Sequence, residues 1–201
     1  MIRLAEGNDA SGIALLHKET LATGFLAKLG VGFLRSLYVF LSQKELVIVY
    51  VNDYSTPAGF VSFSSDSSRM MKRFLISCPL CIIKIIGIVI STPAYIKRIT
   101  ETFTAPFKSK TTQTKMGKVD LPCAELLSIS VDPTSQKTGI GSQLLLALED
   151  HLRENDIKKY KVIAGAELES ANNFYKKNGF LLVAQVIIHG NELSNIYIKE
   201  L

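Results

Sequence analysis

The chain has 201 residues, 47% of them apolar and 20% charged, with a formal net charge of +5. That is the size of one α/β domain with a sizeable core, and the balance of apolar and charged residues excludes a disordered chain. The charge is uneven: from Arg69 to Val119 ten Lys or Arg stand against the single acid Glu101, a local +9, so the remainder carries −4.

Ile2 to Ala5 reads as a first strand, with Asn8 or Asp9 capping a helix that carries Ile13, Leu16 and Leu21 and ends near Gly24. Apolar residues at Leu29, Phe33, Leu37, Phe40 and Leu41 predict a second helix over about 27–41. Two β-branched and aromatic runs, Glu45 to Val51 and Ala58 to Phe63, predict strands joined by the turn-rich stretch 52–57.

Residues 64–121 break this rhythm. The run Phe74 to Ile90 is strongly apolar, yet Pro79 and Lys84 interrupt it and Arg69, Lys72 and Arg73 flank it. A bilayer-spanning helix needs about 20 mostly apolar residues, so a buried or interfacial helix fits better. A further helix is expected from Pro93 to about Phe103, and the polar, basic stretch 108–118 reads as a mobile loop. Such a basic segment suits an anionic partner or is simply a solvated surface; the sequence leaves both open. Three cysteines are too few, and odd in number, for a disulfide framework. Cys78-x-x-Cys81 in its apolar run reads as buried thiols rather than half a zinc site. Arg3 and Glu6 stand where a leader would be apolar, so the expectation is a cytoplasmic protein.

Regular order returns with Ala124 to Val131, a strand stopped by Asp132-Pro133. Ile140, Leu144, Leu145, Leu148 and Leu152 mark one face of a helix over about 140–152. Tyr160 to Gly165 is a further strand, and Ser170 to Lys177 a helix stopped by Asn178-Gly179. Phe180 to Ile188 and Glu192 to Lys199 make a final hairpin around His189-Gly190-Asn191. No repeat and no second globular unit is visible. The expectation is one domain over 1–201, built on a mixed α/β sheet, with an insertion at about 64–121.

The strongest chemical signal lies between the strand ending at Val131 and the helix after Gly139. Glycines at 139 and 141 remove side chains that would hold a ligand away from the backbone. The N–H groups from Thr138 to Ser142 then face outward at a helix N-terminus, where the macrodipole favours an anion. In physical terms this is a pyrophosphate cradle, although an ordinary helix start with small residues has the same look. A Rossmann fingerprint would add a third glycine, where Gln143-Leu144 stands. A P-loop would put Lys-Ser or Lys-Thr after its last glycine, whereas Lys137-Thr138 comes before.

Gln136-x-x-Gly139-x-Gly141, behind a strand ending Val131-Asp132-Pro133, resembles motif A of the GNAT acetyltransferases. Ala171-x-x-Phe174-Tyr175-Lys176-Lys177-x-Gly179-Phe180 resembles their motif B, and the two together cover about 125–180. The resemblance implies the α/β (α+β) fold class of that family. Its mixed, mostly antiparallel central sheet is flanked by helices, here with a helical insertion between the third and fourth strands. It implies an acyltransferase with acetyl-CoA as donor; no metal is expected, because no His/Cys/Asp cluster has ligand spacing. Gln136, Lys137, Thr138, Gly139, Ile140, Gly141 and Ser142 would hold the pyrophosphate, with the stretch Ile129, Ser130 and Val131 along the pantetheine arm. The resemblance makes Tyr175 the acid toward the departing thiolate, which a phenol with a pKa near 10 can serve. A packed core tyrosine fits the same pattern. Many relatives carry an Asn seven residues before this tyrosine. Leu168 stands there instead, so Asn172, with Asn173 beside it, is the expected substitute contact to the cofactor.

An amine acceptor must shed a proton before it attacks a thioester. Glu125 opens the motif A strand, where several relatives place a carboxylate base; a solvated strand-end glutamate is the alternative. His17, in the first helix, and His189, in a hairpin turn that reads as surface, are further titratable candidates. The expected acceptor is a small-molecule amine, and amino sugars or nucleotide-linked sugar precursors match the basic insertion. A protein amine, a CoA sensor without turnover and a membrane-associated protein are the alternatives. No nucleic-acid partner is expected, while peripheral membrane contact through the insertion and a homodimer stay open.

Overall fold

The computed structural model describes residues 1–22, 24–79, 81–82, 111–114, 117–189 and 192–201. The expected helix from Pro93 to Phe103, the apolar run from 83 to 90 and the turn Gly190-Asn191 lie outside these residues.

The N-terminal half builds a three-strand meander faced by helices. Strand β1 (Ile2–Leu4) leads through a 3-10 turn, Gly7–Asp9, into α1 (Ala10–Thr20). Asp9 serves this entry twice, pairing with Arg3 at 2.6 Å and accepting the Glu6 N–H at 2.8 Å. The single helix expected over 27–41 is two: α2 (Phe25–Lys28) and α3 (Val31–Lys44). Gly30 separates them at φ +88°, a left-handed conformation that ends one helix before the next begins. Strands β2 (Leu46–Val51) and β3 (Pro57–Ser64) follow, antiparallel, as their runs of β-branched and aromatic residues predict.

Helix α4 (Ser67–Ser77) begins the insertion, earlier than the apolar run predicts. Asp66 caps it by accepting the Arg69 N–H at 3.0 Å, and Met70 and Phe74 face inward. Beyond it a turn bonds the Cys81 N–H to the Cys78 carbonyl and brings the two cysteines together as a disulfide, Cα atoms 5.3 Å apart. The expectation of two buried thiols is therefore corrected, while Cys123 is a free, exposed thiol. Part of the expected loop at 108–118 is also ordered backbone. Strands β4 (Thr111–Thr114) and β5 (Gly117–Asp120) pair as a small antiparallel ladder, in keeping with the strand preference of Thr111, Thr112 and Thr114.

The second half supplies β6 (Glu125–Val131), α5 (Ile140–Glu154), β7 (Lys159–Gly165), α6 (Glu169–Lys177), β8 (Leu181–His189) and β9 (Glu192–Glu200). Seven strands form one sheet in the order β1-β2-β3-β6-β7-β9-β8, antiparallel except between β6 and β7. This is the mixed, mostly antiparallel sheet with flanking helices that the sequence implied. One face buries Phe33, Leu37, Phe60 and Phe74 with α1, α3 and α4. The other takes the α5 stripe, from Ile140 to Leu152, against Ile48, Val61, Leu126 and Val162. Each large aliphatic or aromatic residue removed from water here contributes about 1.5–3 kcal/mol. Leu121, at the end of the insertion, packs with Ala184 and Ile196 near the far edge of the sheet. Among the described residues no helix is long and apolar enough to cross a membrane.

Candidate active site

The site arises from a failure of two strands to stay together. β6 and β7 pair only at Glu125↔Lys161 and Leu126↔Val162. Beyond that, β6 follows β3 to Val131 and β7 follows β9 to Gly165, so the strands part and leave a wedge. A register shift helps to start it, because Ser62 and Phe63 of β3 stand opposite Ser128 and Leu126, leaving Leu127 as an extra residue.

The phase of the β3–β6 ladder decides which backbone groups face the wedge. Asp132 N–H donates to the Ala58 carbonyl at 2.9 Å, so 132, 130 and 128 bond toward β3. Ile129 and Val131 therefore turn their amides and carbonyls into the wedge. The Val131 carbonyl already accepts Gln136 Nε2 at 3.1 Å. Ser130 points its side chain the other way, donating to Thr20 Oγ1 at 2.6 Å and tying β6 to the end of α1.

At the open end of β6 the chain turns sharply into α5. Asp132 Oδ1 accepts the Thr134 N–H, and Thr138 Oγ1 donates to the Ser135 carbonyl at 2.6 Å. Lys137 at φ +63° and Gly139 at φ +90° are both left-handed, which presents consecutive N–H groups toward one side. The first N–H groups of α5, from Ile140, Gly141 and Ser142, have no intrahelical acceptors. A Cβ on Gly139 would meet nothing nearer than Gln143 Nε2 at 3.9 Å, whereas one on Gly141 would press on the Phe174 ring at 3.3 Å. The cradle is thus open at Gly139 and backed by Phe174 at Gly141. These residues fit a pyrophosphate, and the wedge beside them fits an extended arm.

Tyr175 lies on α6 among Phe174, Phe180 and Tyr197, with ring centroids 5.3 to 5.8 Å apart. It is 6% exposed, and burial, assisted by Tyr197, pushes its phenol above the usual range. It keeps its proton throughout the working pH range, as an acid must and a base must not.

Asn172 is bound up within the protein. Its Nδ2 donates to the carbonyls of Leu168 and Gly165 at 2.7 and 2.9 Å, and its Oδ1 accepts from Asn195 and Tyr197. It thereby fixes the end of β7 against α6 and β9.

Glu125 sits where β6 and β7 are still joined. Ser67 Oγ donates to it at 2.6 Å, and Lys161 Nζ lies 3.3 Å away. Neither partner was marked in the sequence. Lys161 carried a signal, since a lysine amid the apolar β7 run Lys159 to Gly165 needs a counter-charge. Ser67 carried none, because its partner is 58 residues distant.

His17 is sealed in the core. Its Nδ1 meets the Tyr38 hydroxyl at 2.6 Å, its ring stacks on Phe60, and burial pushes its pKa down to about 4. It is neutral at neutral pH and lies 3% exposed. The side chain of His189 lies outside the described residues.

Residues 21–180 match the family model described as Acetyltransferase (GNAT) family. Comparison with curated proteins finds no relative. Solved structures similar over 100% of this chain include Ard1 from Thermoplasma volcanium, with a TM-score of 0.61, 15% identity and 96% of that chain covered. The PaiA N-acetyltransferase of Thermoplasma acidophilum in complex with coenzyme A gives 0.59, 17% and 98%. The ribosomal-protein-S18-alanine N-acetyltransferase of Escherichia coli gives 0.59, 15% and 92%. At such identities the likeness is one of fold.

Proposed function

This chain belongs to the GNAT acetyltransferase family, and from that premise we propose that it transfers an acetyl group from acetyl-CoA directly to the primary amine of a small anionic acceptor. The acceptor class that fits best is an amino sugar that carries phosphate, as a sugar phosphate or on a nucleotide. The observation that carries the donor side is the parting of β6 and β7 beside the left-handed turn into α5.

Gln136 to Ser142 hold the pyrophosphate through backbone N–H groups and the α5 dipole. Ile129 and Val131 pair with the extended arm through their backbone, with Ser130 between them turned to α1. Gln136 keeps the Val131 carbonyl engaged until the arm arrives. Asn172 serves by holding the β7 end and Tyr197 in place rather than through a direct bond to the donor. The donor supplies an activated acetyl thioester. Glu125 takes one proton from the incoming ammonium, and the free amine adds to the thioester carbonyl. As the C–S bond breaks, Tyr175 gives its proton to the departing sulfur and recovers one from the acylated nitrogen.

Support for an anionic acceptor comes from the local charge of +9 over residues 69–119. The first residue of α4, the helix that opens the insertion, touches Glu125, while Arg69 and Arg73 on its exposed side are paired with Asp66 and Glu45 at 3.2 and 3.4 Å.

The first experiment is a calorimetric titration with acetyl-CoA, with dephospho-CoA and NAD as comparisons, followed by thiol-release assays on amino sugars, their phosphates and short peptides. Selective acetyl-CoA binding and turnover of a phosphorylated amino sugar are expected. Turnover of peptides alone would move the acceptor to proteins, and absence of binding would overturn the donor site.

A further inference from the structure

Resting on the reading of Glu125 as the group that takes the acceptor's proton, the geometry points to Ser67 and Lys161 as positioning residues that hold this carboxylate from two sides. A glutamate at the start of a strand has three rotatable bonds, and a base misplaced by an ångström loses most of its effect. Here Ser67 Oγ donates to Glu125 Oε2 at 2.6 Å, and Lys161 Nζ lies 3.3 Å from the same oxygen.

Each holder is itself held. Lys161 stands opposite Glu125 in the β6–β7 register, is 7% exposed, and donates to the Pro122 carbonyl at 2.6 Å. Ser67 is the first residue of α4 and is 6% exposed. The helix cannot shift freely: Asp66 caps it and donates its own N–H to Ser64 Oγ, and Phe74 packs 5.5 Å from both Phe33 and Phe40 of α3. Two donors from two elements thus converge on Oε2 and leave Oε1 as the oxygen to which the acceptor's proton adds. Because Ser67 is the first residue of α4, the seating of this helix is coupled to the base, and a displacement of α4 would act on kcat through Ser67.

The test is a double-mutant cycle on the full chain, comparing the native protein with Ser67→Ala, Glu125→Gln and the double variant. Thiol release is followed with glucosamine 1-phosphate, and in a parallel arm with water as nucleophile, so a rate is read whether or not this sugar is taken. Ser67→Ala should lower kcat about tenfold with KM for acetyl-CoA within about twofold, the size expected of a misplaced base. It should cost nothing further in the Glu125→Gln background, and Ser67→Thr, which keeps the hydroxyl, should restore the rate. Equal losses in both backgrounds would assign Ser67 a structural role and overturn the proposal. Full activity of Ser67→Ala beside an impaired Glu125→Gln would overturn the positioning alone. A native rate in Glu125→Gln would remove Glu125 as the base, and this role of Ser67 with it.

Discussion

Tyr197 donates its hydroxyl to Asn172 Oδ1 at 2.8 Å, and its ring lies 5.8 Å from that of Tyr175. One buried amide therefore links the end of β7, through α6, to the aromatic cluster that surrounds the proposed acid. Replacing it by an apolar residue of similar size strands two groups at once, the Tyr197 hydroxyl and the Asn195 amide, while the Gly165 carbonyl keeps the Leu168 N–H. A stranded buried polar group costs about 1–3 kcal/mol, and partial relaxation keeps the sum below full additivity. Asn172→Leu should lose about 3 kcal/mol of stability. A shift of the urea midpoint with an unchanged m-value would report it; a stability within about 0.5 kcal/mol of native would show that the network is dispensable.

Tyr175→Phe removes one hydroxyl and leaves the ring packing against Phe180 and Tyr197. If the phenol protonates the departing sulfur, kcat should fall about 100-fold or more, while calorimetric acetyl-CoA affinity stays within about threefold. Unchanged turnover would take Tyr175 out of the chemistry and leave it as a core residue.

Gly139→Ala tests the cradle by conformation rather than charge. The new methyl meets open space, with Gln143 Nε2 at 3.9 Å, so any effect comes from φ +90°, which costs an L-residue about 1–2 kcal/mol. Stability should fall by about 1 kcal/mol. Acetyl-CoA affinity should fall about tenfold as the turn relaxes toward negative φ and withdraws its N–H groups. A loss of stability with affinity intact would mean that the ligand does not use this turn.

How far the sequence spoke depends on how local each feature is. The stripe from Ile140 to Leu152 and the β-branched and aromatic runs of β2 and β3 are written in neighbouring residues, and the local pattern finds them. The turn from Val131 to Gly141 was legible for the same reason, since its glycines and its strand lie within a dozen residues. What went unseen was set by partners distant in the chain or by a single backbone angle. Gly30 divides a pattern that reads as one helix, because hydrophobic spacing does not register a left-handed residue. The Cys78–Cys81 bond depends on a turn after α4 that the apolar composition hides. Ser67 and Lys161 reach Glu125 across 58 and 36 positions, so no window of sequence contains the trio. Asn172 shows the converse: its place in the motif suggested a ligand contact, while its geometry spends every polar atom inside the protein.

His17 gives the fold a dependence on acid that can be separated from that of the carboxylates. Burial holds its pKa near about 4 when folded, against the usual 6.5. The neutral ring is the form the core accepts, so the unfolded chain binds more protons between these two values and stability rises with pH there. The contribution is fully present above about pH 6.5 and is lost as pH falls toward about 4, amounting to about 3 kcal/mol in all. Asp9, held below the usual carboxylate range first by its hydrogen bond from Arg3, loses its contribution only below the lower end of this window. Glu45, raised by burial, changes stability in the opposite direction. Both effects cancel when the native protein is compared with His17→Gln, which can still meet the Tyr38 hydroxyl but does not titrate. Between pH 7 and 4.5 the native protein should lose about 2 kcal/mol more than this variant, read from urea midpoints at equal m-values. Parallel losses in the two proteins would mean that His17 is protonated in the folded state without cost, and that the core around Tyr38 and Phe60 admits water.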